Sequence, residues 1–234
     1  MTGALASTAL LTGTGDSARP VPAGVSFEAM AIKLYGWARS SASRVHWALE
    51  ELGVPFELVT LDRAKGEHQA PAYLAINPNG KVPALVDGGQ PYFESLAILL
   101  HLAESYGTER GLWPAVGPPH AEALCWTVWG GTELHAYMMQ YLYHGLDSPV
   151  SYRPEQRSQA TAEYNHGQYL RLLDVLDARL ANRDHMLGTF SLADIPAAAA
   201  LITGTFLGAS LEGRTHVEAW LDRCRARPAL ARSR

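Results

Sequence analysis

The sequence predicts a small mixed α/β domain followed by an all-helical domain, and three observations carry that prediction. Between about residues 31 and 108, short apolar runs of strand length alternate with amphipathic helical stretches. Strand signals stop after the Gly/Pro-rich stretch GLWPAVGPPH, and everything beyond it reads as helix. A composition that is 47% apolar over 234 residues is ordinary for a globular chain with a full core.

Residues 1–29 are rich in Gly, Ala, Thr, Ser and Pro and read as a flexible extension. ALASTALL within them is apolar, but no positive charge precedes it as a signal peptide would require. AIKLYG is then a short strand. SASRVHWALEELG is a helix, with Val45, Ala48, Leu49 and Leu52 at i, i+3, i+4, i+7 and Gly53 placed to cap its end. FELVTLD is a second strand, and RAKGEHQAPAYLAIN is a loop with one helical turn. KVPALVDGGQPYF is a hairpin about a DGG turn, and ESLAILLHLAESYG is again helical, with Ile98, Leu99, Leu102 and Tyr106 on one side. The order β-α-β, then ββα, gives one mixed sheet with helices on both faces. Residues 30–108 therefore form the first domain, 109–118 a linker and 119–234 the second domain. Helices are predicted from about Ala121 to His144, from about Pro154 to Leu180, from Ser191, and around the stripe Val217, Trp220, Leu221 and Cys224.

Several function classes are excluded on composition. A formal net charge of −4, with no Lys/Arg run interleaved with aromatics, does not suit a phosphate backbone. No apolar run approaches the roughly 20 residues of a membrane helix. Cys125 and Cys224 match neither a disulfide framework nor a zinc spacing, which fits a reducing, cytoplasmic setting, and Cys224 reads as a buried small hydrophobe. His135 and His144 lack a metal-ligand spacing, so no metal is expected.

Four segments, in order and at consistent separations, carry a resemblance: LYGWARSSASRVHWALEELGVPFE, GEHQAPAYLAINPNGKVPAL, YFESLAILLHLAE and SLADI. Together, from about residue 31 to 230, they are similar to the cytosolic glutathione transferase superfamily, in its serine-type, bacterial or phi-like form. The resemblance implies a thioredoxin-like first domain, glutathione as co-substrate, a homodimer, and transfer of the glutathione thiolate to a small, largely apolar electrophile. Isomerisation or dehalogenation through the same thiolate, and a non-catalytic binding or assembly module on the same fold, are the alternatives. No Cys occurs before Cys125, which disfavours a thiol-exchanging member of the superfamily.

Site residues follow from the matched positions. Arg39, Ser40 and Ser41 lie in a strand-to-helix turn, where a helix N-terminus favours an anion. The resemblance makes Ser40 the donor to the glutathione sulfur, although a serine there is also a natural N-cap. Ser41 and Tyr35 are the alternatives. Arg44 is expected to hold the helix start through polar contacts. Val82–Pro83 is implied to be a cis bond, with the Val82 main chain pairing with the cysteinyl backbone of glutathione. Lys81 and His68 are implied to lie near its carboxylates. Glu94 would take the γ-glutamyl ammonium, and Ser95, at a helix start, its carboxylate. SLAD reads as a capping box in which Ser191 caps the N–H three residues on and Asp194 reaches back, a folding device. Tyr137 and Tyr141 lie on the helix where relatives build the second-substrate pocket, and aromatic side chains suit a loosely specific apolar site.

Overall fold

The computed structural model describes residues 32–233, so the extension assigned to residues 1–29 lies outside the described residues. Strand β1 (Ile32–Gly36) alternates buried Ile32, Leu34 and Gly36 with half-buried Lys33 and Tyr35, as a strand with one face on a core must. Helix α1 (Ala42–Leu52) buries Val45, Ala48, Leu49 and Leu52, and Gly53 ends it at φ 61°, donating its N–H to the Leu49 carbonyl at 3.0 Å. Strand β2 (Phe56–Thr60) follows, then helix α2 (Pro71–Leu74), strands β3 (Ala84–Asp87) and β4 (Gln90–Phe93), and helix α3 (Ser95–Leu102). Gly88 and Gly89 make the β3–β4 turn, both at positive φ, the combination a two-residue hairpin with primed geometry demands.

The sheet order is β2-β1-β3-β4, with β1 parallel to β2 and antiparallel to β3, and β3 antiparallel to β4. One row of partners crosses it: Tyr35 pairs with Ala84, and Ala84 with Phe93. The chain thus leaves β1, enters β3 and leaves β4 at the same end of the sheet.

The second half is helical: α4 (Pro118–Trp129), α5 (His135–Gly145), α6 (Gln159–Leu180), α7 (Asp194–Phe206), α8 (Thr215–Arg225) and α9 (Pro228–Arg232). The stripes at helical spacing are buried: Tyr169, Leu172, Leu173, Leu176 and Leu180 on α6, and Val217, Trp220, Leu221 and Cys224 on α8. Helix α7 is apolar nearly all round because it runs through the centre, touching α1, α4, α5 and α8. Among the described residues no helix is long and apolar enough to cross a membrane.

The elements differ from the predicted ones at their ends. The helix expected from Ala121 to His144 starts at Pro118, where proline is tolerated, and carries a π turn at Gly130–Leu134 between α4 and α5. The helix expected from Pro154 begins at Gln159, because the Ser158 hydroxyl accepts from the Thr161 N–H at 3.2 Å and caps it there; Pro154–Gln156 is a separate 3₁₀ turn. The third helix starts at Asp194 rather than Ser191.

A polar clamp ties the chain's end to the first domain. The Arg227 guanidinium donates twice to the Glu51 carboxylate, at 2.5 and 2.7 Å, and lies 3.5 Å from the Phe190 ring centroid. Trp47 Nε1 donates to the same carboxylate at 2.8 Å. Glu51 is nearly covered, so removing Arg227 strands a charge; exposure of the arginine moderates the loss. Arg227→Met is expected to lower unfolding free energy by about 2 kcal/mol in urea titrations. Unchanged stability would show that α9 docks without the ion pair.

Candidate active site

Three chain segments meet at the end of the sheet marked by the row Tyr35, Ala84 and Phe93. The first is the turn from β1 into α1. A Cβ on Gly36 would lie 2.4 Å from the Ala42 Cβ, so only glycine lets the first turn of α1 fold back against the strand end. Arg39 takes φ 60°, outside the usual range for a side-chain-bearing residue, to complete the reversal. The Ser40 hydroxyl then donates to the Trp37 carbonyl at 2.6 Å and accepts from the Ala42 N–H at 3.2 Å. Ser40 is thus the residue that ties off the helix start. Ser41 is exposed and its side chain makes no cap bond. The ring of Tyr35 turns toward α2, its centroid 6.0 Å from that of Tyr73.

The second segment enters β3. The Val82–Pro83 bond is cis. The loop before it is held by four bonds. Tyr73 Oη and Asn77 Nδ2 both donate to the Lys81 carbonyl at 2.6 Å, Gln69 Nε2 donates to the Gly80 carbonyl at 2.9 Å, and the Gly80 N–H donates to the Asn77 carbonyl at 3.0 Å. Within this fixed loop, Val82 makes no main-chain hydrogen bond among the described residues, which leaves a donor and an acceptor in extended chain. The Lys81 side chain is exposed. His68 lies beside the first segment, its ring edge-on to Trp37 with centroids 5.5 Å apart, and its Nδ1 is buried with no partner. A buried imidazole nitrogen without a bond is costly unless something else satisfies it.

The third segment leaves β4. Glu94 sits at φ 67°, ψ 116°, a strained conformation for a non-glycine residue, and its side chain is exposed. The first main-chain bond of α3 is donated by Ile98 to the Glu94 carbonyl at 2.9 Å, so the N–H groups of Ser95, Leu96 and Ala97 have no partner within the helix. A carboxylate at Glu94, a hydroxyl at Ser95 and free amides stand in sequence. Such a set can hold an ammonium and a carboxylate side by side.

Across the cleft stands the helical domain. A Cβ on Gly131 would approach Leu96 Cδ1 to 2.8 Å, so the glycine lets the π turn close on the start of α3. His135 lies four residues further along, and its pKa is pushed down to about 4, first by burial and then by the Arg44 charge. Arg44 itself is buried at 8% exposure, yet no hydrogen bond or ion pair holds it among the described residues. The polar contacts expected of it at the helix start are supplied by Ser40 instead. Tyr137 and Tyr141 face α6: Tyr137 meets Tyr164 edge-on at 6.3 Å, and Tyr141 stacks on His166 at 4.3 Å. The effect of the Arg44 charge on His135 leaves no trace in the sequence, because it depends on how distant segments pack.

Burial of His135 makes stability depend on pH. Its folded pKa is depressed, so above the unfolded value of 6.5 neither state is protonated and the fold has its full stability. As pH falls from about 6.5 toward 4, the unfolded chain takes up a proton that the folded one refuses, and up to about 3 kcal/mol is lost. His135→Gln is expected to flatten this part of the profile of unfolding free energy against pH. An identical slope in the variant would show that other groups cause it.

Ser191 and Asp194 lie away from this cleft. The Asp194 carboxylate reaches back to the Ser191 N–H at 3.0 Å, but the Ser191 hydroxyl donates to that carboxylate at 3.2 Å rather than capping the helix, since the Asp194 N–H bonds the Ser191 carbonyl.

Two family models match the chain. Residues 30–104 match the glutathione S-transferase N-terminal domain, and residues 136–228 the C-terminal domain. The chain is 35% identical to glutathione S-transferase 4 of Zea mays, over 85% of this chain and 90% of the relative. It is 32% identical to glutathione S-transferase F9 of Arabidopsis thaliana, over 86% and 94%. Among solved structures it superposes with a TM-score of 0.75 on the theta class glutathione S-transferase of Xanthomonas axonopodis pv. citri with glutathione bound, at 30% identity over 87% of this chain and 96% of the other.

Proposed function

The chain belongs to the glutathione S-transferase family, and we propose that it transfers the thiolate of glutathione to a small electrophile held between its two domains. The observation that carries this is the row Tyr35, Ala84 and Phe93, which brings a helix N-terminus with a serine, an unpaired extended main chain and an acidic, amide-rich helix start to one edge. Each matches one part of the tripeptide. Glu94 takes the γ-glutamyl ammonium, and Ser95 with the α3 amides takes its carboxylate. Val82 pairs with the cysteinyl main chain, much as an added strand would. Lys81 and His68 serve the glycyl carboxylate, with His68 Nδ1 gaining the partner it lacks.

Ser40 then faces the sulfur. A free thiol of pKa about 8.5 is mostly protonated at neutral pH, so activation means stabilising the thiolate. The Ser40 proton turns from the Trp37 carbonyl to the sulfur, the thiol proton passes to solvent, and the sulfur lone pair forms the new S–C bond as the leaving group departs with its electron pair. The electrophile sits against the helical domain; Tyr137 and Tyr141, whose rings lie on α6, do not supply its wall. The protein works in the cytoplasm as a homodimer. A screen of diverse electrophiles with glutathione is the test. Turnover of any of them above the uncatalysed rate, together with retention on immobilised glutathione, supports the reading. Retention without turnover would instead make the chain a binding module.

A further inference from the structure

Asp87, the last residue of β3, lies at the far end of the sheet from the cleft, beside the hairpin glycines Gly88 and Gly89. Its Oδ2 accepts from Tyr106 Oη at 2.7 Å and stands 2.8 Å from His101 Nε2. At the other ring nitrogen, Nδ1 lies 3.4 Å from the Ser105 hydroxyl, one helical turn further along the chain. The three side chains thus run carboxylate to imidazole to hydroxyl, the order of a serine hydrolase triad with the two ring nitrogens exchanged. The tautomer follows from the carboxylate: Nε2 carries the proton given to Asp87, and Nδ1 keeps a lone pair facing the Ser105 O–H. The ring is held from its flat side as well, for Tyr92 stacks on it with centroids 4.0 Å apart and planes at 17°. The side chains of His101 and Asp87 are 21% and 12% exposed, whereas Ser105 is open to solvent. Other histidines also meet a carboxylate, as His120 meets Glu104 and His216 meets Asp177. Among the described residues, none of those has a hydroxyl on its second nitrogen.

We propose that Ser105 is an acyl-accepting nucleophile, with His101 as its base and Asp87 positioning the ring, and that it takes acyl groups from aryl esters of small carboxylic acids. The 3.4 Å contact is long for a hydrogen bond, a looseness common in free enzymes before substrate draws nucleophile and base together. In the step, Ser105 Oγ forms a bond to the acyl carbon as its proton passes to His101 Nδ1. The bond from that carbon to the aryl oxygen breaks, and its electron pair leaves on the aryl oxide. The imidazolium, steadied by Asp87, then gives the proton to solvent. Arg110, whose Nη1 donates to the Tyr106 carbonyl at 3.0 Å, stands at the next turn with N–H groups left for the oxyanion. Exposure of Ser105 sets the class: little surface encloses a substrate, so the ester must be small at its acyl carbon and carry an alcohol that leaves without a proton. The step uses no glutathione and stands apart from the transferase reading.

The test is acetylation of the full chain by 4-nitrophenyl acetate in the absence of glutathione, with peptide mass spectrometry to locate the acetyl groups over time. Ser210 is the internal control. It is exposed too, but among the described residues its hydroxyl oxygen meets only the Glu212 N–H, at 3.0 Å. Ser105 should be acetylated faster than Ser210 by about tenfold or more, since a positioned base contributes at least that much. In His101→Gln the Ser105 rate should fall to that of Ser210. The comparison of the two serines within the parent protein needs no variant, so it stands even where His101→Gln fails to fold. Equal rates at Ser105 and Ser210 in the parent would overturn the proposal, as would fast acetylation of Ser105 that persists in a folded His101→Gln. Acetyl groups confined to Cys125 or to lysines would do the same.

Discussion

Replacing Ser40 with alanine is expected to lower kcat by about 100-fold while changing the KM for glutathione far less. The magnitude follows from the bond removed. A hydrogen bond to a charged acceptor contributes about 1.5 to 3 kcal/mol, and a shift of two pKa units in the bound thiol corresponds to about 2.7 kcal/mol, or a factor near 100 in the thiolate fraction. In the proposed site affinity is spread over the main chain of Val82, the charges at Glu94 and Lys81, and the amides of α3, so one hydroxyl among them alters binding little. The structure adds a second effect to separate out. Ser40 also accepts from the Ala42 N–H, so Ser40→Ala should cost about 1 kcal/mol of stability, the usual cost of a lost cap. The two effects are distinguishable. The lost cap appears in a melting curve without glutathione, whereas the lost thiolate stabilisation displaces the acid limb of the kcat/KM profile to higher pH. Ser41→Ala is the companion measurement, because Ser41 is exposed and caps nothing. If Ser40→Ala turns over at the parent rate and Ser41→Ala does not, the thiol contact belongs to Ser41; if neither matters, Tyr35 is the next candidate.

What the sequence makes legible is whatever is written in local periodicity or turn chemistry. The spacing of Val45, Ala48, Leu49 and Leu52 names the buried face of α1, and Gly53 names its end, because both depend on residues within a few positions of one another. The same holds for Gly88 and Gly89 at the hairpin and for the stripes of α6 and α8. Ends fixed by competition between several local signals are less legible. Pro154 reads as a helix start, yet the Ser158 cap displaces it to Gln159. The site divides along the same line. Segments proposed to carry the glutathione contacts are contiguous strings, whereas the effect of the Arg44 charge on His135 links residues 91 positions apart. No spacing rule reaches that far. Periodicity also places Tyr137 and Tyr141 on one face of their helix without saying which neighbour that face meets; the structure lays it on α6.

The largest loss of stability is expected from a change of a single atom type, Asp194→Asn. Asp194 is wholly buried, and its two carboxylate oxygens receive four donors. Oδ1 accepts from the Met186 N–H at 3.0 Å and from Trp220 Nε1 at 2.8 Å; Oδ2 accepts from the Ser191 N–H at 3.0 Å and the Ser191 hydroxyl at 3.2 Å. These partners belong to the turn at Met186, the residues just before α7 and the middle of α8, so one carboxylate joins three pieces of the helical core. Asparagine has the same shape but offers one acceptor oxygen and an amide that is itself a donor. Whichever way it turns, its amide faces a main-chain N–H that cannot rotate away, together with either the Trp220 ring N–H or the Ser191 hydroxyl. Breaking a buried charged network in this way costs about 3 to 5 kcal/mol, a large part of the total for a domain of ordinary stability. Urea titration of Asp194→Asn should show the midpoint falling sharply with the slope unchanged. Asp194→Glu provides the contrast: it keeps the charge, so any loss there reports the added methylene in a filled space. An Asp194→Asn variant as stable as the parent would mean that the donors find water or each other, and that the carboxylate is not what joins α7 to α8.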